Sequence, residues 1–238
     1  MRVSHWLWLL RTTYGKSLAL FYQKPLFSIV YLKLMSGGMS NVIENEAEYL
    51  SRTFSDGDFS NRTLSDIEFD ACTFVNCDFS ETVFEKCRFI DCEFEKCNLS
   101  LVKLNYSRFS DVTFKNSKII GVDWTKVAWP NISVTSPIQF FQCILNDSSF
   151  FGLDLTEIIL EECKVHEVDF REGDFSEGVF DYTDFTNSLF SNTNLTSASF
   201  AESTNYDIDI NVNKIKNAKF SRHEAIRLLA SLDIELLD

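Results

Sequence analysis

Seven cysteines are the residues of this chain best suited to chemistry. Five of them fall between Cys72 and Cys97, in the stretch CTFVNCDFSETVFEKCRFIDCEFEKC. Cys72/Cys77, Cys87/Cys92 and Cys92/Cys97 are each separated by four residues, a spacing that invites a metal-thiolate reading. Structural zinc, however, needs four ligands converging on a tetrahedron, so the reading depends on where each cysteine points. Catalytic groups are sparse. His5, His166 and His223 are scattered, with no nucleophile–base constellation, glycine-rich phosphate loop or His-Glu-x-x-His pair. No enzymatic activity, cofactor or metal site is expected.

What positions the cysteines is a five-residue period. Large apolar residues occupy every fifth position from Phe54 to Trp124, and the series resumes one residue out of phase at Phe140 and runs to Phe200. On an α-helix such a period scatters around the circumference, and on a strand it alternates between faces. A solenoid satisfies it. Each pentapeptide forms one side of a coil, its central residue is buried, and backbone hydrogen bonds join coil to coil. The position two before each central residue also points inward, where only small side chains fit, and all seven cysteines occupy it. They are expected to be buried, reduced thiols that act as small hydrophobes, as in a cytoplasmic protein.

Net charge is −13 and unevenly spread: residues 1–38 contain five bases and no acid, so the remaining 200 residues carry −18. A body this acidic repels nucleic acid, and no direct nucleic-acid binding is expected. The apolar runs of segment 1–38 are broken by Arg11, Lys16 and Lys24-Pro25, short of the roughly 20 residues that span a bilayer. A membrane is not an expected partner. The segment reads as an extension upstream of a start at Met39 or as an accessory tail, with a membrane-surface anchor as the alternative.

CDFSE, CNLSL, GDFSE, TDFTN and TNLTS resemble the pentapeptide-repeat family, whose repeat runs small residue, Asp or Asn, Leu or Phe, Ser or Thr, variable residue. The resemblance implies an all-β fold, a right-handed quadrilateral parallel β-helix with four pentapeptides per coil and a short C-terminal capping helix. About 30 repeats would give a rod somewhat under ~40 Å long. The expected organisation is the segment 1–38, an N-terminal cap over 39–51, the β-helix over 52–203 interrupted at 125–139, and a C-terminal cap and dimerisation helix over 204–238. Ser221 and Glu224 have the spacing of a capping box, with Ala225, Leu228, Leu229 and Leu232 on one helical face beyond it. By the resemblance, Leu228, Leu229, Leu232 and Ile234 would pair two copies end to end as a homodimer.

With four sides per coil, residues twenty apart stack. Between Phe140 and Phe200 there are twelve acids and two bases, and the rule places Asp147 on Glu167, Asp154 on Asp174, Glu157 on Glu177 and Glu161 on Asp181. Only Lys164 over Asp184 is complementary. Like charges on adjacent rungs destabilise a sheet, so these eight acids are the expected surface for a basic partner, with Trp129, Pro130 and Asn131 of the interruption as a second contact. Members of the family, including the quinolone-resistance (Qnr-like) and microcin-immunity groups, resemble B-form DNA in shape and charge and engage DNA gyrase and topoisomerase IV. The resemblance therefore implies a topoisomerase-directed DNA mimic; the alternative is an adaptor scaffold for an unrelated protein. One departure is visible, since the quinolone-resistance proteins of Gram-negative bacteria carry two projecting loops and this chain has one interruption.

Overall fold

A computed structural model describes residues 42–129, 136–232 and 234. The expectations for segment 1–38, Pro130 and Asn131 lie outside those residues. In most pentapeptides the central residue and the one two before it are buried and the others face out, with Arg52, Arg62 and Leu153 among the exceptions at the second of these positions. Four such sides close one coil. The first side stacks Tyr49, Phe69, Phe89 and Phe109 as parallel strands Glu48–Leu50, Glu68–Asp70, Arg88–Ile90 and Arg108–Ser110. The second side starts at Thr53–Ser55, the third at the Asp58 to Asp78 bridge, and the fourth at Thr63–Ser65. Register is twenty residues throughout the lower coils, as in Phe54↔Phe74 and Leu64↔Phe84. The fold is a parallel β-helix.

The interruption is an insertion of six residues that leaves the helix running. Phe114 pairs with Phe140, and the isolated bridges Lys118↔Ile144 and Asp123↔Ser149 keep the same 26-residue step. Trp129 still takes the first-side position above Phe109, at 6.4 Å. The described chain leaves the first side at Trp129 and takes up the second at Ile138–Phe141.

The stack is longer at both ends than the expected 52–203. Tyr49 already pairs with Phe69, and Ser199–Phe200 pairs with Lys219–Phe220. Below, the guanidinium of Arg52 lies 5.3 Å from the Tyr49 ring and 5.2 Å from the Phe54 ring, cation–π contacts at the first coil. On the second side Phe54, Phe74, Phe94, Phe114, Phe140, Leu160, Phe180, Phe200 and Phe220 succeed one another. Eight steps at ~4.8 Å make about 38 Å.

Rings on one side stack face to face, as Phe74 over Phe94 at 4.5 Å and 14°, while rings on adjacent sides meet edge to face, as Phe69 and Phe74 at 5.2 Å and 76°. Both geometries suit the aromatic quadrupole. At most corners the residue two after the central one has a left-handed backbone, for example Glu81 at φ 56° and Glu177 at φ 60°. The hydrogen bond from Thr82 N to Phe79 O, 3.0 Å, closes such a corner as a type II turn. A non-glycine residue in that region costs roughly 1 kcal/mol, offset because the turn carries the chain onto the next buried residue.

The cysteines separate into three interior columns once the coil is closed. Cys72 and Cys92 stack at the first-to-second corner and Cys87 lies at the fourth-to-first. Cys77, Cys97, Ser117, Cys143, Cys163, Thr183 and Ser203 run up the second-to-third corner as one unbroken series of thiols and hydroxyls. Each donates to a second-side carbonyl one coil below: Cys97 Sγ to Phe74 O is 3.3 Å, Cys143 Sγ to Phe114 O 3.4 Å, and Thr183 Oγ1 to Leu160 O 2.7 Å. These side chains satisfy carbonyls that the ladder leaves over. All seven cysteines are free and buried, and among the described residues no three metal-binding side chains converge. Burial pushes the Cys87 thiol up to about 11 and Cys163 well above the ordinary thiol range. Hydrogen bonds with Cys92, Cys97 and Cys163 hold Cys72, Cys77 and Cys143 below that range, so inertness rests on burial: we expect none of the seven to react with a disulfide dye at pH 8 in the folded protein, and all seven in 6 M guanidinium. Native reactivity within minutes would contradict the register.

The C-terminal segment departs from expectation. Glu224–Leu232 is a 3-10 helix, with three residues per turn, so Ala225, Leu228 and Ser231 align rather than Ala225, Leu228, Leu229 and Leu232. The capping box does not form. Ser221 Oγ donates instead to Glu202 Oε1, 2.9 Å, and accepts from Glu202 N, while Glu224 Oε2 accepts from Asn205 N at 3.2 Å. Both side chains serve the coil beneath the helix, which needs partners for its last unpaired groups.

Candidate functional site

The eight carboxylates do not form one array. Asp147 and Glu167 lie at the third-to-fourth corner, whereas Glu157 and Glu177 occupy the corner between the first and second sides, diagonally across a four-sided coil. Asp154 and Asp174 face outward on the first side, and Glu161 and Asp181 on the second. Six of the eight thus share two adjoining sides, separated from Lys164, His166 and Arg171 on the other two.

Several of these acids also serve the fold. Asp174 accepts from Ser176 N (3.0 Å), Ser176 Oγ (2.6 Å) and Asn194 Nδ2 (2.7 Å). Partial burial pushes its carboxyl up, but these bonds outweigh burial and hold it below its ordinary value. Asp181 accepts from Ser199 Oγ at 2.6 Å and Ala201 N at 3.0 Å, tying one coil to the next. Asp154 takes one bond, from Thr156 Oγ1 at 3.0 Å. Glu157 and Glu177 are exposed and make no ion pair among the described residues.

Two further acids belong with them. The first-to-second corner carries, in order up the rod, Asp91, Asp111, Glu157 and Glu177. All four acids are exposed at left-handed corner positions, with φ from 49° to 62°. The pair Asp91/Asp111 shares a column with Glu157/Glu177 only when the step across the insertion is counted as 26 rather than twenty.

Trp129 is not a loop side chain. Its indole N–H donates to Trp124 O at 3.0 Å, and its ring packs on Phe109 and Trp124, so it is a member of the first-side stack. Among the end-pairing residues, Leu232 and Ile234 are exposed, while Leu228 packs against the core and Leu229 is half-buried.

Charge pairing follows side-chain reach more than rung register. Glu68 pairs with Arg88 as the twenty-residue rule demands. Lys115, however, turns to Glu93 at 2.7 Å and Asp123 is met by Lys126 at 3.4 Å. Lys164 stands in backbone register with Asp184, yet the ion-pair partner of Asp184 is His166, 2.8 Å away. Asp184 also accepts from Asn205 Nδ2 at 2.9 Å and Thr186 Oγ1 at 2.7 Å. Burial opposes the shift, but these donors hold the carboxyl down at about 2 against 3.8 for a free Asp. A folded value below the unfolded one gives stability that is complete above about pH 4 and lost as pH falls towards 2. We expect Asp184→Asn to be less stable by about 1 kcal/mol at pH 7, a figure discounted for its partial exposure, and the deficit to vanish near pH 2. Thermal melts of both proteins across pH 2 to 7 check this; a constant gap would refute it.

The sequence matches the family described as pentapeptide repeat region over residues 67–135 and 122–200. No curated protein matches. Among solved structures, a trypsin-treated variant of QnrB1, a plasmid-mediated fluoroquinolone resistance protein, is similar at 21% identity and TM-score 0.48, over 82% of this chain and 93% of that one. A second trypsin-treated QnrB1 variant gives 18% identity and TM-score 0.46, over 80% and 100%. HetL, a pentapeptide repeat protein involved in heterocyst differentiation regulation from the cyanobacterium Nostoc, gives 11% identity and TM-score 0.32, over 81% and 91%. With its five-residue ladder, its four-sided coils and a family match across more than half its length, the chain belongs to the pentapeptide-repeat family.

Proposed function

We propose that this is a non-enzymatic DNA mimic. Its acidic first and second sides would occupy the cationic DNA-binding surface of a type II topoisomerase, DNA gyrase or topoisomerase IV, and modulate the enzyme or protect it from poisons. The observation that carries the reading is the corner column Asp91, Asp111, Glu157 and Glu177, flanked by Asp154 and Asp174. Rungs repeat at ~4.8 Å and one DNA strand places a phosphate every ~3.4 Å, so a carboxylate column approximates a phosphate strand. A cationic groove that attracts one attracts the other, at comparable salt sensitivity.

The test is a gyrase supercoiling assay with purified protein, with and without a fluoroquinolone. Neutralising Asp154, Glu157, Asp174 and Glu177 together is expected to raise the protein concentration needed for an effect about tenfold, or ~0.35 kcal/mol per carboxylate. The reading fails if micromolar protein does nothing, or if the neutralised variant acts as the parent does. The engagement of Asp174 and Asp181 within their own coils favours the second reading, an adaptor scaffold with an unrelated protein partner. That reading leaves supercoiling untouched.

A further inference from the structure

The first and second sides of the upper rod change sign along their length. The outward first-side column runs Asp154, Asp174, Asn194, Lys214, each in register with the next. The adjoining corner runs Glu157, Glu177, Ser197, Asn217. On the second side, Ile159, Val179 and Ser199 lead to Lys219. Two acidic rungs are thus followed by an uncharged polar rung and then by a basic one carrying Lys214, Lys216 and Lys219. All three lysines are exposed, and none makes an ion pair among the described residues.

A surface with its acids and bases at opposite ends is self-complementary under a twofold axis lying between them. Such an axis brings residue i of one copy to residue j of the other and j to i. Placed midway between the Asp174 and Asn194 rungs, it sets the Asp154 and Glu157 rung of one copy against the Lys214 rung of its mate, twice over. It also sets Asp174 and Glu177 against Asn194, Thr196 and Ser197, which offer amide and hydroxyl donors.

We propose that two copies of this chain associate side by side and antiparallel through their first sides and the adjoining corner, held by these reciprocal ion pairs. The arrangement differs from end-to-end pairing through Leu232 and Ile234, and it uses the face assigned above to a topoisomerase, so the two associations would compete while the sedimentation test reads self-association alone. The acidic bodies repel one another, but at ~0.15 M salt that repulsion is screened beyond about 8 Å while contact pairs persist. Complementary charge at contact then fixes the orientation.

The experiment is sedimentation velocity on the full chain at about 100 μM. The parent is expected to associate in 0.15 M NaCl and to dissociate in 1 M. Asp154→Lys/Glu157→Lys and Lys214→Glu/Lys216→Glu/Lys219→Glu are each expected to weaken association at least tenfold. An equimolar mixture of the two should restore it, because each reversed surface then meets its complement. Zero-length carbodiimide coupling of isotopically mixed copies should join Lys214 or Lys216 of one to Asp154 or Glu157 of the other, and Leu232→Asp/Ile234→Asp should leave that cross-link in place. A monomeric parent at 0.15 M, reversed variants that associate as the parent does, or a mixture that fails to recover would each overturn the proposal.

Discussion

Phe79→Asp is expected to abolish cooperative melting of the rod. Phe79 is fully buried on the third side, stacked on Phe59 at 4.9 Å and touching the rings of Phe74 and Phe84 at 5.5 Å. Removing a buried ring costs about 3–5 kcal/mol, and a carboxylate without a partner in that place adds several more. The sum rivals the ~5–15 kcal/mol that holds a typical domain together. Each coil of a solenoid contacts only its neighbours, so damage begins in the coils around Phe79 and the rod ceases to unfold as one unit. The control is Glu81→Asn, two residues on at an exposed left-handed corner, where asparagine tolerates the backbone and the effect stays within about 0.5 kcal/mol. Circular dichroism melts of both variants decide it: a Phe79→Asp transition as sharp as the parent's, within a few degrees, would mean that the position does not face the core.

The same periodicity explains what was legible in the sequence and what was not. One large residue per side, repeated without gaps, is a pattern that only this backbone explains, and it carried the buried set and the cysteine positions. The ends were hidden because their coils use other residues. Phe190 pairs with Ile208 after eighteen residues rather than twenty, and Tyr206 fills the interior instead of a phenylalanine. Ser221 and Glu224 looked like a helix cap because the capping pattern is local, whereas their partners Glu202 and Asn205 lie one coil away. The partners of the acids are hidden for a related reason. Spacing puts Asp174 and Asp181 on the surface, but it does not show that Asn194, Ser199 and Ala201 reach them. A twenty-residue rule does not align Asp91 and Asp111 with Glu157, because the step across the insertion is 26 residues.

Deleting residues 130–135 is expected to leave the fold intact and to separate the loop's role from that of the carboxylates. Phe114 pairs with Phe140 across 26 residues, so removing six restores a twenty-residue coil. Trp129 would then be followed by Phe140 after five positions, and the apolar ladder would run unbroken from Phe54 to Phe200. Trp129 already holds the first-side position through its bond to Trp124, and neither Glu157 nor Glu177 leaves its corner. Shortening a loop by this amount changes its closure entropy by well under ~1 kcal/mol, so the melting temperature should move by no more than about 3 °C. Function should respond differently, because in the chain the six residues follow the acidic corner residues Asp91 and Asp111 and precede Glu157 and Glu177. If a topoisomerase reads that corner, the shortened protein should need about tenfold more material to affect supercoiling while melting like the parent. Unchanged potency would assign recognition to the carboxylates alone. A broadened or lowered melt would show that the insertion holds the two halves of the rod together, which the register across it gives no reason to expect.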